Sequence, residues 1–135
     1  MNTWIEIDRP VDIEADIPLK DQAPIDVKTK YNESYNNKFV AWVHDDLGLI
    51  GCIKNNRSIS ANCSEAAVIE LYEMEPAKGG GYLGLDIKSK GGECLAVVAH
   101  SRHSEKSLKW LKELQPILAK AFSLKETYEY HGKDA

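Results

Sequence analysis

The 135 residues of this chain are enough for one folded domain with a core of ordinary size. The composition, 43% hydrophobic and 28% charged, excludes a wholly disordered chain, and no apolar run approaches the ~18 residues that a membrane span requires. A net charge of −4 argues against nonspecific binding of nucleic acid. The three widely spaced cysteines suit reduced thiols, and the first residues lack the pattern of a signal peptide, so we expect a cytoplasmic protein.

Charge is distributed unevenly along the chain. Residues 1–26 contain seven carboxylates against two basic residues, whereas residues 100–125 contain six basic residues against two carboxylates. Such asymmetry is typical of proteins that bind a charged partner.

Residues 4–17 alternate with period two, which predicts a β-strand with one exposed face. Pro10 and Pro18 bracket its second half, and proline cannot donate a ladder hydrogen bond, so the strand should lie at a sheet edge. The exposed face would carry Asp12, Glu14 and Asp16, about 6.6–7 Å apart because alternate residues of a strand rise by twice ~3.3 Å. This acidic row would suit the basic groove of a partner protein. The alternative is that the charges only protect the edge from aggregation.

Further strands are predicted along the first half of the chain. Ile25, Val27 and Thr29 alternate again, and residues 32–38 resemble a loop. The β-branched and aromatic residues of 39–43 and 47–53 predict a hairpin closed at Asp45 and Asp46.

A short helix is predicted near residues 63–75. Asn62 followed by Glu65 resembles a capping box, and apolar residues then recur at helical spacing until Pro76. A strand over residues 68–74 is the alternative, because a short apolar run cannot be assigned by its period alone.

A second hairpin is predicted from residues 82–88 and 93–99, closed by glycines that supply the turn. Residues 94–99 are almost wholly apolar, which predicts a central strand covered on both faces.

The clearest helix begins after Ser104. Its apolar stripe contains Leu108, Leu111, Leu114, Leu118, Ala121 and Phe122, while Pro116 predicts a kink or a break near Gln115. Residues 125–135 are polar apart from two tyrosines and should fray.

One candidate for chemistry is Cys63, because a helix start favours the thiolate. A cysteine at a helix start, followed later by His100 or His103 after a strand, resembles the NlpC/P60 cysteine hydrolases and the papain-like enzymes. That resemblance implies a cysteine-dependent hydrolase in which Cys63 works with one of these histidines.

A second candidate is the glycine-rich segment 79–84, Gly-Gly-Gly-Tyr-Leu-Gly. If residues 68–76 form a strand, the segment resembles the pyrophosphate loop of the GNAT acetyltransferases, which implies binding of an acyl-CoA. A dinucleotide fingerprint is excluded, because residues 82–88 predict a strand where that motif requires a helix.

A third candidate is an anion site formed by Arg102, His103 and Lys106 at the start of the C-terminal helix. The backbone N–H groups of the first helical turn have no partner within the helix and would point toward the same anion. The two histidines lack the further ligands that a zinc site requires.

Together these patterns predict an α+β protein: a mostly antiparallel sheet with the C-terminal amphipathic helix on one face and a shorter helix near residues 63–75. Residues 1–124 would form one domain and residues 125–135 a polar tail. The expected function is that of a small immunity- or inhibitor-like protein, which binds a protein with a basic surface through the acidic strand. No cofactor is predicted, and the oligomeric state stays open.

Overall fold

Within residues 2–133, which a computed structural model describes, eight β-strands accompany two α-helices. The strands are β1 (Asn2–Ile7), β2 (Phe39–His44), β3 (Leu49–Lys54), β4 (Arg57–Asn62), β5 (Ala66–Glu75), β6 (Tyr82–Ser89), β7 (Cys94–Arg102) and β8 (Lys125–Lys133). The helices are α1 (Ile25–Ser34) and α2 (Glu105–Phe122). The predicted α+β class is confirmed, as are the two hairpins β2–β3 and β6–β7.

The strands form two four-stranded sheets. The first has the order β1-β2-β3-β4 and is antiparallel throughout, and the second has the order β7-β6-β5-β8. In the second sheet only β5 and β8 pair in parallel. The largest core cluster lies between the sheets and α2, while α1 covers a smaller cluster on the other face of the first sheet.

Helix α2 packs on the second sheet as predicted. The Ser104 hydroxyl accepts the N–H of Ser107 and caps the first turn, while Ser123 ends the helix in the left-handed conformation at φ 57°. The helix passes through Pro116 without ending, so of the two expected outcomes near Gln115 the break is wrong, and the kink stays a prediction. Pro116 lies on the exposed side, where water can satisfy the carbonyl that it leaves unbonded. Neither helix of the described chain is long and apolar enough to cross a membrane.

Residues 66–75 form strand β5, so the short helix predicted near residues 63–75 is wrong. Ile69 and Leu71 are buried on one face, while Glu70 and Tyr72 project from the other, which is a period of two. Asn62 does not cap a helix, because its carbonyl accepts the N–H of Glu65 in a tight turn.

Residues 125–133 form strand β8, so the expectation of a fraying tail is wrong over this range. β8 pairs with β5, and the buried side chain of Gln115 in α2 hydrogen-bonds to both strands. The Gln115 Nε2 donates to the carbonyl of Ile69 at 2.9 Å and to that of Thr127 at 2.7 Å. Residues 134 and 135 lie outside the described residues.

The sheet order also corrects the position of residues 94–99. They belong to β7, a terminal strand of the second sheet, and β6 and β5 occupy the centre. β7 is apolar because Ala96, Val98 and Ala99 face the core cluster.

Two corrections concern the N-terminal third. The strand expected over residues 4–17 ends at Ile7, and the alternation at 25–29 belongs to helix α1. Val27 and Tyr31, one helical turn apart, are buried against β2 and β3.

The packing of α2 predicts a sharp difference between neighbouring positions. Leu114→Asp should cost about 3 kcal/mol or more, because it places a carboxylate where Leu114 is 1% exposed. Ile117→Asp is the matched control, since Ile117 is 43% exposed on the same helix. Thermal melting measures both, and equal melting temperatures for the two variants would contradict the packing.

Candidate partner-binding surface

The predicted acidic row lies on an extended segment that forms no strand ladder. The predicted alternation of buried and exposed side chains is confirmed at five positions: Ile13, Ala15 and Ile17 are buried, while Asp12 and Glu14 are exposed. The only ladder contact of residues 8–17 is an isolated bridge between Asp16 and His100 of β7. The prediction of an edge strand with three regularly spaced carboxylates is therefore wrong.

Asp16 is neutralised within the molecule. Its Oδ2 lies 3.1 Å from Lys54 Nζ, 3.6 Å from Arg9 Nη2 and 3.9 Å from Arg57 Nη1, and its side chain is 20% exposed. Arg9 and Arg57 also donate to backbone carbonyls of residues 13–17. This cluster holds the segment in place and leaves Asp16 little charge to offer a partner.

The predicted anion site does not assemble. His103 Nε2 lies 2.6 Å from Glu73 Oε2, and Lys106 Nζ lies 2.6 Å from Asp12 Oδ2. Arg102 is exposed, but the other two basic groups are each paired with a carboxylate. Lys106 and His103 are therefore occupied by contacts within the molecule and are not free to form an anion site with Arg102.

Cys63 is exposed in the turn between β4 and β5, and its backbone N–H donates to the carbonyl of Gly48. Partial burial raises the pKa of its thiol, where a helix start would lower it. Within residues 2–133 no hydrogen bond joins this thiol to His100 or His103. Residues 2–133 therefore lack the contact between a thiol and an imidazole that the hydrolase hypothesis requires.

The glycine-rich segment 79–84 connects two antiparallel strands, β5 and β6, and leads into no helix. Gly84 lies within β6, where a Cβ would come 1.8 Å from Cζ of Tyr72. The ring of Tyr72 therefore occupies the space that a side chain at position 84 would need. The acyl-CoA hypothesis loses its structural basis, and Gly84 has a packing role.

A surface that the sequence analysis missed lies along β8, where two tyrosines are held by carboxylates of β5. The Tyr128 hydroxyl donates to Glu73 Oε1 at 2.6 Å, and the Tyr130 hydroxyl donates to Glu75 Oε1 at 2.7 Å. Both rings remain open to solvent, at 52% and 47% exposure. We call these four residues, with the exposed Glu126 on their face and Glu129 on the other face of the strand, the β8 surface.

The parallel register of β5 and β8 creates this surface. Leu71 lies beside Tyr128 and Glu73 beside Tyr130, so alternate residues of both strands share the side that faces α2. The signal for it in the sequence is the alternation of Tyr128 and Tyr130 with Thr127, Glu129 and His131.

Glu73 is the electrostatic centre of the β8 surface. Burial would raise the pKa of its carboxyl, but hydrogen bonds from Tyr128 and His103, together with the charge of Lys112, outweigh burial and lower it. The same hydrogen bond, with burial and nearby negative charge, raises the pKa of Tyr128 to about 12. Glu73 therefore stays an acceptor and Tyr128 a donor throughout the physiological range.

An aromatic cluster borders the β8 surface on the opposite face of the second sheet. The His131 ring stacks on Tyr72 with centroids 5.5 Å apart, and the Tyr82 hydroxyl lies 2.6 Å from His131 Nδ1. Tyr72 also contacts Tyr82 edge-on. These rings fix the end of β8 from the side that α2 does not cover.

Next to this cluster Asp86 is buried, with 8% of its surface exposed. Its Oδ1 has no hydrogen-bond partner among the described residues, although the Cys94 thiol bonds to the carboxyl group. Burial, aided by the charge of Glu70, raises the pKa of Asp86 to about 6 despite that bond and the charge of Lys88.

No protein-family model, curated protein or solved structure matches this chain. In residues 2–133 no group of three or more His, Cys, Asp or Glu side chains is arranged to hold a metal ion.

The contact between Tyr72 and Gly84 predicts a strong coupling between the two positions. Gly84→Ala should destabilise the protein by about 2–4 kcal/mol, because the three atoms nearest the added Cβ all belong to the Tyr72 side chain. In a Tyr72→Ala background the same substitution should cost much less. Urea unfolding of the four proteins measures the coupling, and Gly91→Ala, where the added methyl meets little, is the control. Equal costs in both backgrounds would contradict this packing.

Asp86 predicts a pH-dependent stability. Its pKa in the folded state, about 6, lies above the ordinary 3.8, so the folded state binds the proton more tightly and stability falls as the pH rises between these values. Asp86→Asn should match the wild type near pH 4 and exceed it by about 2–3 kcal/mol near pH 7. Urea unfolding at both pH values tests this, with Asp46→Asn in an exposed turn as the control. A difference that does not change with pH would refute the assignment.

Proposed function

We propose that this chain is a small immunity- or inhibitor-like protein that binds a basic partner protein through the β8 surface. The observation that carries the proposal is the pair of exposed tyrosine rings, Tyr128 and Tyr130, whose hydroxyls are already bonded to Glu73 and Glu75. Tyrosine is enriched in the central contacts of protein interfaces.

The anchored hydroxyls favour binding because they restrict the rings before a partner arrives. Ordering a flexible side chain at an interface costs about 0.5–1.5 kcal/mol, and that cost is reduced when the rotamer is already fixed. The rings of Tyr128 and Tyr130 thus offer apolar area in one orientation. A surface held in this way supports recognition of a partner of defined shape.

The charges of the β8 surface indicate the kind of partner. Glu75, Glu126 and Glu129 accompany the tyrosines, whereas the lysines of β8 lie at its two ends, Lys125 and Lys133. A negative surface with exposed aromatic rings suits arginine and lysine side chains, which pair with carboxylates and stack on the rings. The same charges argue against a nucleic-acid partner.

The proposal keeps the predicted function but places it on a different surface. Asp12 and Glu14 remain exposed, whereas Asp16 belongs to the internal cation cluster. A cytoplasmic location is part of the proposal and is supported by the three cysteines, all of which are free thiols.

Affinity capture from extracts of the source cells tests the proposal. The wild-type chain should retain a basic protein, with weaker retention at higher salt because exposed charges are screened. Tyr128→Ala combined with Tyr130→Ala should abolish that retention. Leu47→Ala combined with Ile117→Ala is the matched control, since it removes two other exposed apolar side chains. Equal retention by the tyrosine variant and the control would reject the β8 surface as the binding site.

A further inference from the structure

The chain covers two of its four sheet edges with its own backbone. On β4, Ser58 donates its N–H to the carbonyl of Lys20 at 2.8 Å, and Gln22 donates to the carbonyl of Ser58 at 3.2 Å. On β7, Asp16 and His100 exchange two backbone hydrogen bonds of 3.2 and 3.0 Å. The segment after β1 thus covers part of each of these terminal strands, which hinders their pairing with other chains.

The other two terminal strands, β1 and β8, differ in what they expose. β1 has only six residues and exposes no large apolar side chain: Trp4 stacks on Tyr35 with centroids 5.5 Å apart, and its exposed residues, Asn2, Thr3 and Glu6, are polar. β8 has nine residues without a proline, pairs only with β5 among the described strands, and exposes two tyrosines. A long edge with exposed aromatic side chains is a template for another strand.

We propose that an extended, basic segment of the partner protein adds to the free edge of β8 as a fifth strand of the second sheet. This inference rests on the proposed function and specifies how the partner binds. Backbone hydrogen bonds would supply part of the affinity, and alternate side chains would meet the two faces of β8.

The charge pattern of β8 defines the occupant. Glu126 shares one face with the tyrosines, and Glu129 lies on the opposite face with Thr127 and His131. Basic side chains of an added strand would find a carboxylate on either face, while Lys125 and Lys133 limit the complementary stretch to the middle of β8. A second copy of this chain fits less well, because it would bring the same carboxylates to the edge.

A defined peptide tests strand addition directly. The probe is a seven-residue peptide of alternating arginine and valine with blocked ends, titrated into the ¹⁵N-labelled chain. The control is the same peptide N-methylated at every residue, which keeps the charge and the side chains but removes the N–H donor of every residue. We expect amide shifts and slowed hydrogen exchange centred on residues 125–133, and a Kd raised about tenfold or more by N-methylation.

Each other result has a distinct meaning. Equal affinity of the two peptides, or protection from hydrogen exchange at β1, would overturn strand addition at β8. Neither result would contradict binding of a basic partner through the side chains of the β8 surface. Binding of neither peptide would also overturn strand addition, and the Tyr128→Ala and Tyr130→Ala capture experiment then decides separately whether the proposed function stands. A dimer of the free chain in sedimentation, dissociated by the tyrosine variant, would assign the edge to a second copy.

Discussion

The parallel pairing of β8 with β5 is the contact on which the candidate surface depends, and two buried polar side chains hold it. Gln115 reaches from α2 to carbonyls of both strands, and Glu73 accepts hydrogen bonds from Tyr128 of β8 and His103 before α2. A buried polar group that loses its partner is costly, so these bonds select one register. That register gives the tyrosines their positions.

The sequence predicted the parts of the fold that local signals determine. The two hairpins follow from short turns between β-branched runs, and α2 follows from a cap at Ser104 and a long apolar stripe. The apolar spacing of β5 fits both a helix and a strand, and pairing decides between them: β5 lies between β6 and β8, and β8 begins 50 residues after β5 ends. β8 itself is polar because an edge strand buries little of either face, so composition alone suggested a tail.

The candidate site was harder to predict than the fold, because it depends on pairs distant in sequence. The alternation at residues 11–17 correctly identified the buried side chains, but the charge of Asp16 is cancelled by Lys54 and Arg57, about 40 positions away. The tyrosines of β8 alternate with polar residues, and only the pairing with Glu73 and Glu75 shows that their hydroxyls are anchored. Sequence patterns identified the faces, whereas the charge balance required the three-dimensional contacts.

The bridge between Asp16 and His100 has a consequence for biosynthesis. During translation the segment that contains Asp16 leaves the ribosome 84 residues before His100, its bridge partner in β7. Until then its apolar side chains have no complete core to enter, and contacts between such distant positions form slowly.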